Sequence, residues 1–168
     1  MFLEIGLIQR FGLFLGHPFY TLSVTLLSIL CFAGLGSLTT EYCLRQPPRI
    51  YLERALVLLL GVVLCYLWGW PFIFKYFLGD PIAVKILVSF LCLMPLGFLM
   101  GMPLPLGMRT LADQRKTMIP WAWGLNGGMS VLGSVLAMIL AMNFGYTVTF
   151  MTALGIYGMA WGLVRWFF

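Results

Sequence analysis

Three polar residues with chemical potential lie in the apolar stretch that opens the chain. Glu4, Gln9 and Arg10 fall among leucine, isoleucine and phenylalanine residues in the segment 2–16. A charge at the centre of a membrane helix costs roughly 2.5–3.5 kcal/mol, so such residues commonly mark ion paths, proton relays or ligand sites. The alternative is that Glu4 and Arg10 lie near the two membrane interfaces or pair with a neighbouring chain.

The single histidine, His17, directly follows this stretch and precedes Pro18. One imidazole can ligate a haem or chlorophyll, or carry a proton near neutral pH, so His17 is a candidate cofactor ligand. The alternative is an ordinary polar residue that ends a helix at the level of the lipid headgroups. The sequence contains no GxSxG, HExxH, P-loop or Cys/His metal-binding pattern, so we expect neither a metal site nor an enzyme.

A polar stripe is predicted on a helix later in the chain. Asn126, Ser130 and Ser134 are spaced i, i+4 and i+8, which places them on one helix face, and Gly124 and Gly128 lie beside them. Small and hydroxyl-bearing residues allow membrane helices to approach each other and to form hydrogen bonds across the contact. We therefore predict helix packing along this stripe; the alternative is a polar path for a solute.

Two further features concern helix contacts. Gly97 and Gly101 form a small-xxx-small pair between Pro95 and Pro103, which predicts another close helix contact. Arg109 follows Pro103 and is expected in a cytoplasmic loop at a helix end, where it would brace two helices or bind phosphate.

The composition indicates which elements must position these residues. The 168 residues are 62% hydrophobic and 9% charged, whereas soluble domains carry about 25% charged residues. We predict an all-α, polytopic integral membrane bundle in one transmembrane domain over residues 1–168, resembling half of a transporter-type fold. It comprises a short N-terminal membrane helix at 2–16 and five spans at about 21–38, 55–77, 83–102, 118–142 and 146–164.

The positions of the basic residues predict the orientation. Seven Lys and Arg residues fall in the connections 39–54 and 103–117 and in the tail, whereas only Lys75 and Lys85 fall on the other side. The positive-inside rule then places both polar connections and the C-terminus in the cytoplasm, with His17 and the turns near Asp80 and Asn143 outside. The four cysteines form no CxxC pair and are expected to be reduced; they are Cys31, Cys43, Cys65 and Cys92.

Three segments carry a resemblance to a known family. They run from Glu4 to Gln9 with Leu13 to Pro18 and Gly34 to Ser37, from Gly101 to Arg109, and from Pro120 to Ser134. Together they resemble the C-terminal transmembrane region of bacterial spermidine-synthase-like membrane proteins, in which such helices are fused to an aminopropyltransferase-type domain. This chain lacks the Gly-rich nucleotide loop and the clustered acidic residues of that domain, so the resemblance does not imply aminopropyl transfer.

Two functions follow as expectations. The first is a non-enzymatic subunit of a larger membrane protein complex in the bacterial inner membrane, in contact with lipid and with other membrane chains and not with nucleic acid. The second is half of a transporter-like channel or carrier for a small solute, which the resemblance would link to polyamines. The short first helix, with Glu4, Gln9 and Arg10, has no evident internal shield, so we expect it to contact another chain or a tightly held lipid or pigment. No cofactor is identified by the sequence.

Overall fold

A computed structural model of the chain describes residues 1–42 and 47–167. Within those ranges it is entirely helical and contains no strand. Six α-helices and one short 3-10 turn, Lys116–Met118, follow one another along the chain. The α-helices are α1 (Phe2–Leu15), α2 (Pro18–Tyr42), α3 (Pro48–Phe77), α4 (Ile82–Met100), α5 (Pro103–Gln114) and α6 (Ile119–Phe167). Two residues of the sequence predictions lie outside the described residues: Cys43, which is expected to be reduced, and the basic Arg45 of the connection 39–54.

Four helical stretches of the described chain are long and apolar enough to cross a membrane. They are Pro18–Tyr42, Pro48–Phe77, Ile82–Gln114 and Lys116–Trp166. The third runs from α4 into α5, and the fourth contains two of the five predicted spans, at 118–142 and 146–164. The structure is therefore that of a helical membrane-type chain.

The last helix, α6, is broken at Gly145. This residue has φ 81° and ψ 169°, a backbone conformation that glycine reaches without the steric penalty of a Cβ atom. The break divides α6 into a first arm, residues 119–144, and a second arm, residues 146–167. It lies within the turn predicted at Asn143–Gly145, and it separates the two apolar runs.

Helix α1 packs against α2, α4 and α6 through one buried face, whereas Leu13 on its other side is 72% exposed. Five of its large apolar side chains are buried: Leu3, Leu7, Phe11, Phe14 and Leu15. The helix ends at Gly16, whose φ of 73° places it in the left-handed region, and its N–H donates to the Gly12 carbonyl over 3.0 Å. The longer helices therefore cover those five apolar side chains of α1, whereas Glu4, Gln9 and Arg10 are only half-buried. The expected contact of α1 with another chain, lipid or pigment stays a prediction.

An aromatic cluster links α1 to α3. The Phe11 ring meets Trp70 edge-on at a centroid distance of 4.9 Å, and the Phe14 ring stacks on Phe74 at 4.4 Å. Trp70 is buried and also packs against Tyr66, whose hydroxyl donates to the Cys92 carbonyl of α4. These contacts fix the depth of the short helix within the bundle.

The closest helix contact is between α2 and α4. A Cβ atom added at Gly101 would overlap with the Ala33 carbonyl oxygen. A Cβ atom added at Gly36 would overlap with the Phe98 carbonyl oxygen in the same way. At Gly97 an added Cβ would lie 3.1 Å from the Phe32 Cβ. The small-residue face of α4 is therefore filled by α2 of the same chain.

The polar connection expected at 103–117 is mostly helical. Pro103 occupies the first position of α5, where its missing N–H costs no hydrogen bond. Leu106 and Thr110 are buried on one face of α5, whereas Asp113 and Gln114 are exposed. The prediction that Arg109 lies in a loop is wrong, because the segment has one apolar face that packs against α3 as a helix.

Candidate functional site

The first arm of α6 carries the predicted stripe residues Asn126, Ser130 and Ser134 and the glycines Gly124 and Gly128. Near the break, the arm is buried through Gly133, Ala137 and Ala141, which are spaced four residues apart and form one small-residue stripe. Between residues 119 and 132 no residue is buried. The arm therefore packs against the rest of the bundle near the break, whereas residues 119–132 are not buried by other helices.

A recess of about 380 Å³ lies between the start of α1 and the two arms of α6. Its polar lining residues include Asn126 and Ser130 from the first arm and Tyr157 from the second. The remaining wall is apolar and includes Leu3, Leu136 and Ala153. Two members of the predicted polar stripe thus reach the same recess.

The hydroxyl groups of this stripe are bonded within their own helix. Ser130 Oγ donates to the Asn126 carbonyl over 2.7 Å, and Ser134 Oγ donates to the Val131 carbonyl over 2.8 Å. Asn126 is exposed, and Ser130 and Ser134 are half-buried. Within the ranges 1–42 and 47–167 the stripe makes no side-chain hydrogen bond to another helix, so its polar atoms are available at the recess and at the surface.

Glu4 lies beside this recess. One carboxylate oxygen is 3.3 Å from the amine of Met1, and Met1 lines the recess. Gln9 is half-buried near the middle of α1. The three polar residues of α1 therefore do not share one site, because Glu4 faces the recess and Arg10 faces an aromatic cluster.

Two aromatic rings lie close to the guanidinium group of Arg10. Its guanidinium carbon is 4.1 Å from the centroid of the Tyr146 ring and 5.6 Å from that of Phe74. Both distances are within the range of a cation–π interaction. Its Nε atom is buried and has no hydrogen-bond acceptor in the part of the chain that the structure describes.

An open groove runs along the outer part of the first arm. It encloses about 470 Å³ and is lined by seven residues: Pro120, Trp121, Gly124, Leu125, Gly128, Met129 and Leu132. A Cβ atom added at Gly124 or Gly128 would meet no described atom within 4 Å. Trp121 and Leu125 are 72% and 65% exposed, so large apolar side chains flank a gap that this chain does not fill.

His17 and Arg109 lie far from these two regions along the chain. His17 is exposed directly after α1, and its carbonyl accepts a hydrogen bond from the Thr21 hydroxyl at 2.9 Å. Among the residues described, no group of three His, Cys, Asp or Glu side chains is placed to hold a metal ion. Arg109 lies on α5, where its Nη1 donates to the Thr40 carbonyl over 2.6 Å and thereby ties α5 to the end of α2.

Sequence reasoning missed the aromatic partners of Arg10. Tyr146 follows the helix break, and Phe74 lies on α3, more than sixty positions from Arg10 along the chain. Neither residue carries a local pattern that would identify it as a cation partner. Only the packing of α1 between α3 and α6 brings the three side chains together.

No family model matches the chain, and neither a curated protein nor a solved structure matches it. The resemblance to the membrane region of spermidine-synthase-like proteins therefore stays a prediction from the three sequence segments.

Proposed function

We propose that this chain is a non-enzymatic subunit of a larger membrane protein complex, and that it contacts its partner through residues 119–132 of the first arm of α6. The observation that carries the proposal is the unfilled groove around Gly124 and Gly128. The proposal includes five spans, with each arm of α6 crossing the membrane once, and a cytoplasmic C-terminus.

The physical argument begins with the cost of glycine. A glycine inside a helix is less favourable than alanine by about 1 kcal/mol, and Gly124, Gly127 and Gly128 fall within five residues. At Gly97 and Gly101 the same cost is offset, because α2 packs directly on the exposed backbone. The groove on the first arm has no such partner among the described residues.

The nature of the groove indicates the kind of partner. Lipid chains are as apolar as leucine, so apolarity alone gives no drive for association in a membrane; close packing against small residues does. Gly124 and Gly128 form a GxxxG pair flanked by Trp121 and Leu125, which suits a second transmembrane helix in close contact. A partner helix would fill the gap that flexible lipid chains fill less well.

The test is the mass of the native particle in mild detergent. We expect a stable species larger than the chain's own 18.9 kDa, and Gly124→Leu with Gly128→Leu should reduce it to the single chain. Gly61→Leu is the matched control, since Gly61 is also an exposed helical glycine with open space around it. A wild-type particle that contains one chain only and keeps its thermal stability would refute the proposal.

The recess favours a second candidate, half of a carrier for a small solute. Its polar residues Asn126, Ser130 and Tyr157 line one recess, which is the kind of convergence that a solute site needs. Under this alternative, Ser130→Leu abolishes solute uptake into vesicles while the thermal stability of the protein is unchanged. Under the subunit proposal, uptake is absent from the wild type as well.

A further inference from the structure

The guanidinium group of Arg10 contacts two aromatic rings and donates no hydrogen bond within the described chain. Tyr146 lies 4.1 Å from the guanidinium carbon, measured to the ring centroid, and Phe74 lies 5.6 Å away. The N–H donors of a guanidinium group point outward in its plane, so rings over the faces leave these donors unsatisfied. In the described chain Arg10 makes no side-chain hydrogen bond, and its buried Nε lacks an acceptor.

The position of this group along the bundle follows from its neighbours. Phe74 is in the last turn of α3, and Tyr146 is the first residue after the break in α6. Phe14, near the end of α1, stacks on Phe74. Several helices therefore end or begin around the Arg10 head group, which places it at one rim of the bundle and not at its centre. Long arginine side chains commonly reach such a rim from within a membrane helix.

The charges around this rim are mainly positive. Lys85, in the first turns of α4, places its Nζ 5.9 Å from the Phe14 ring centroid, so it borders the same aromatic cluster as Arg10. Lys75 lies in the last turn of α3, and Asp80 is the acidic residue of the connection to α4. In residues 1–42 and 47–167 the ion pairs are Met1 amine with Glu4 and Arg49 with Glu53, so no carboxylate neutralises Arg10.

We propose that Arg10, with Lys85 as a second cation, binds a phosphate group at this rim. The planar edge of a guanidinium group matches two phosphate oxygens with two parallel N–H donors, and the aromatic rings hold that edge in one orientation. A phosphate is supplied by the headgroup of a phospholipid or by a free phosphate ion. The level of the site, where the apolar helices end, matches the headgroup of a lipid whose chains lie along the bundle.

This site is independent of the groove on the first arm. It uses residues of α1, α3, α4 and the start of the second arm, none of which line that groove. The bound phosphate supplies the acceptor that the buried Nε and its neighbouring donors lack within the described chain.

The experiment uses the full chain purified in a maltoside detergent, which contains no phosphate. Phosphatidylglycerol, an uncharged galactolipid and inorganic phosphate are each titrated, and binding is followed by native mass spectrometry and by the thermal unfolding midpoint. We expect phosphatidylglycerol to bind and to raise the midpoint, whereas the galactolipid does neither. Stabilisation by inorganic phosphate alone would assign the site to a free ion, with the same guanidinium chemistry.

Three variants locate the site. Arg10→Gln should weaken phosphatidylglycerol binding at least tenfold and Lys85→Gln about threefold, while Arg10→Lys should recover only part of the loss because an ammonium group has no planar fork. Arg165→Gln is the matched control, since the Arg165 guanidinium carbon lies 5.6 Å from the Trp161 ring on an exposed surface. If Arg10→Gln does not fold, Lys85→Gln and Arg10→Lys still test the site.

Two results would overturn the proposal. One is equal binding of the galactolipid and phosphatidylglycerol with no effect of inorganic phosphate, which would mean that only the lipid chains are recognised. The other is unchanged phosphatidylglycerol affinity in both Arg10→Lys and Lys85→Gln.

Discussion

The packed region around α1 and the extended first arm of α6 contain the same kinds of residue in opposite environments. In the packed region, Gly97 and Gly101 touch the backbone of α2, and the aromatic rings of Phe11 and Trp70 are buried against each other. In the first arm, Gly124 and Gly128 face open space, and the ring of Trp121 is 72% exposed. A small-residue pair in a membrane helix therefore indicates that a close contact is suitable, without indicating which helix supplies it.

The largest difference between the two regions is expected from loss of an aromatic ring. Phe11→Ala removes a fully buried ring that contacts Trp70 and Phe74, so the free energy of unfolding should fall by about 3–5 kcal/mol. Trp121→Ala removes an exposed ring and should leave the stability of the single chain nearly unchanged. Reversible denaturation in mixed micelles measures both, and similar losses for the two variants would contradict the comparison.

A smaller difference is expected from adding one methyl group at a glycine. Gly101→Ala should destabilise the fold by about 1–3 kcal/mol, because the new Cβ meets the Ala33 backbone, which cannot rotate away as a side chain can. Gly61→Ala adds the same group at an open helical position and serves as the control. The same unfolding assay applies. If Gly101→Ala left the free energy of unfolding unchanged, α2 and α4 would not be in backbone contact at Gly101.

The smallest effect, with the opposite sign, is expected on the first arm. Gly124→Ala should stabilise the single chain by about 0.5–1 kcal/mol, since alanine reduces the conformational freedom of the unfolded chain and meets no described atom. The same change should weaken association with the partner, because it lengthens the closest approach of two helices. Measuring unfolding and particle mass on one sample separates these effects, and a variant that loses stability would place a contact of the same chain at Gly124.

The sequence predicted the positions of the helices better than it predicted the contacts between them. The apolar runs, and Gly145 between two of them, gave segments that lie close to the observed helices. The polar residues between 103 and 117 concealed the helix α5, because its apolar face contributes only a few residues such as Leu106. Trp70 illustrates the limit for single residues, since its position near the end of a predicted span is typical of an interfacial tryptophan, yet its ring is buried.

For the candidate residues too, the sequence identified the residues and only the fold showed their surroundings. Glu4 and Arg10 were identified because a charge is costly in an apolar stretch, and that cost is a property of composition alone. Their surroundings required the fold: Glu4 pairs with the amine of Met1 at the recess, and Arg10 lies close to the rings of Tyr146 and Phe74. The three hydroxyl and amide residues of the stripe share one face by helix geometry, but the two serine hydroxyl groups donate to carbonyls of their own helix.

The sequence by itself determined that this chain forms apolar helices, where most of them begin and end, and which residues are costly inside a membrane. The tertiary structure decided which faces of those helices are covered, so that α2 fills one glycine pair and the other stays open. The physical reason is the solvent. In water the buried face of a helix is more apolar than the exposed face, but lipid chains are as apolar as leucine, so both faces of a membrane helix have similar composition. Shape complementarity between helices then selects the contacts, and that property exists only once the helices are placed together.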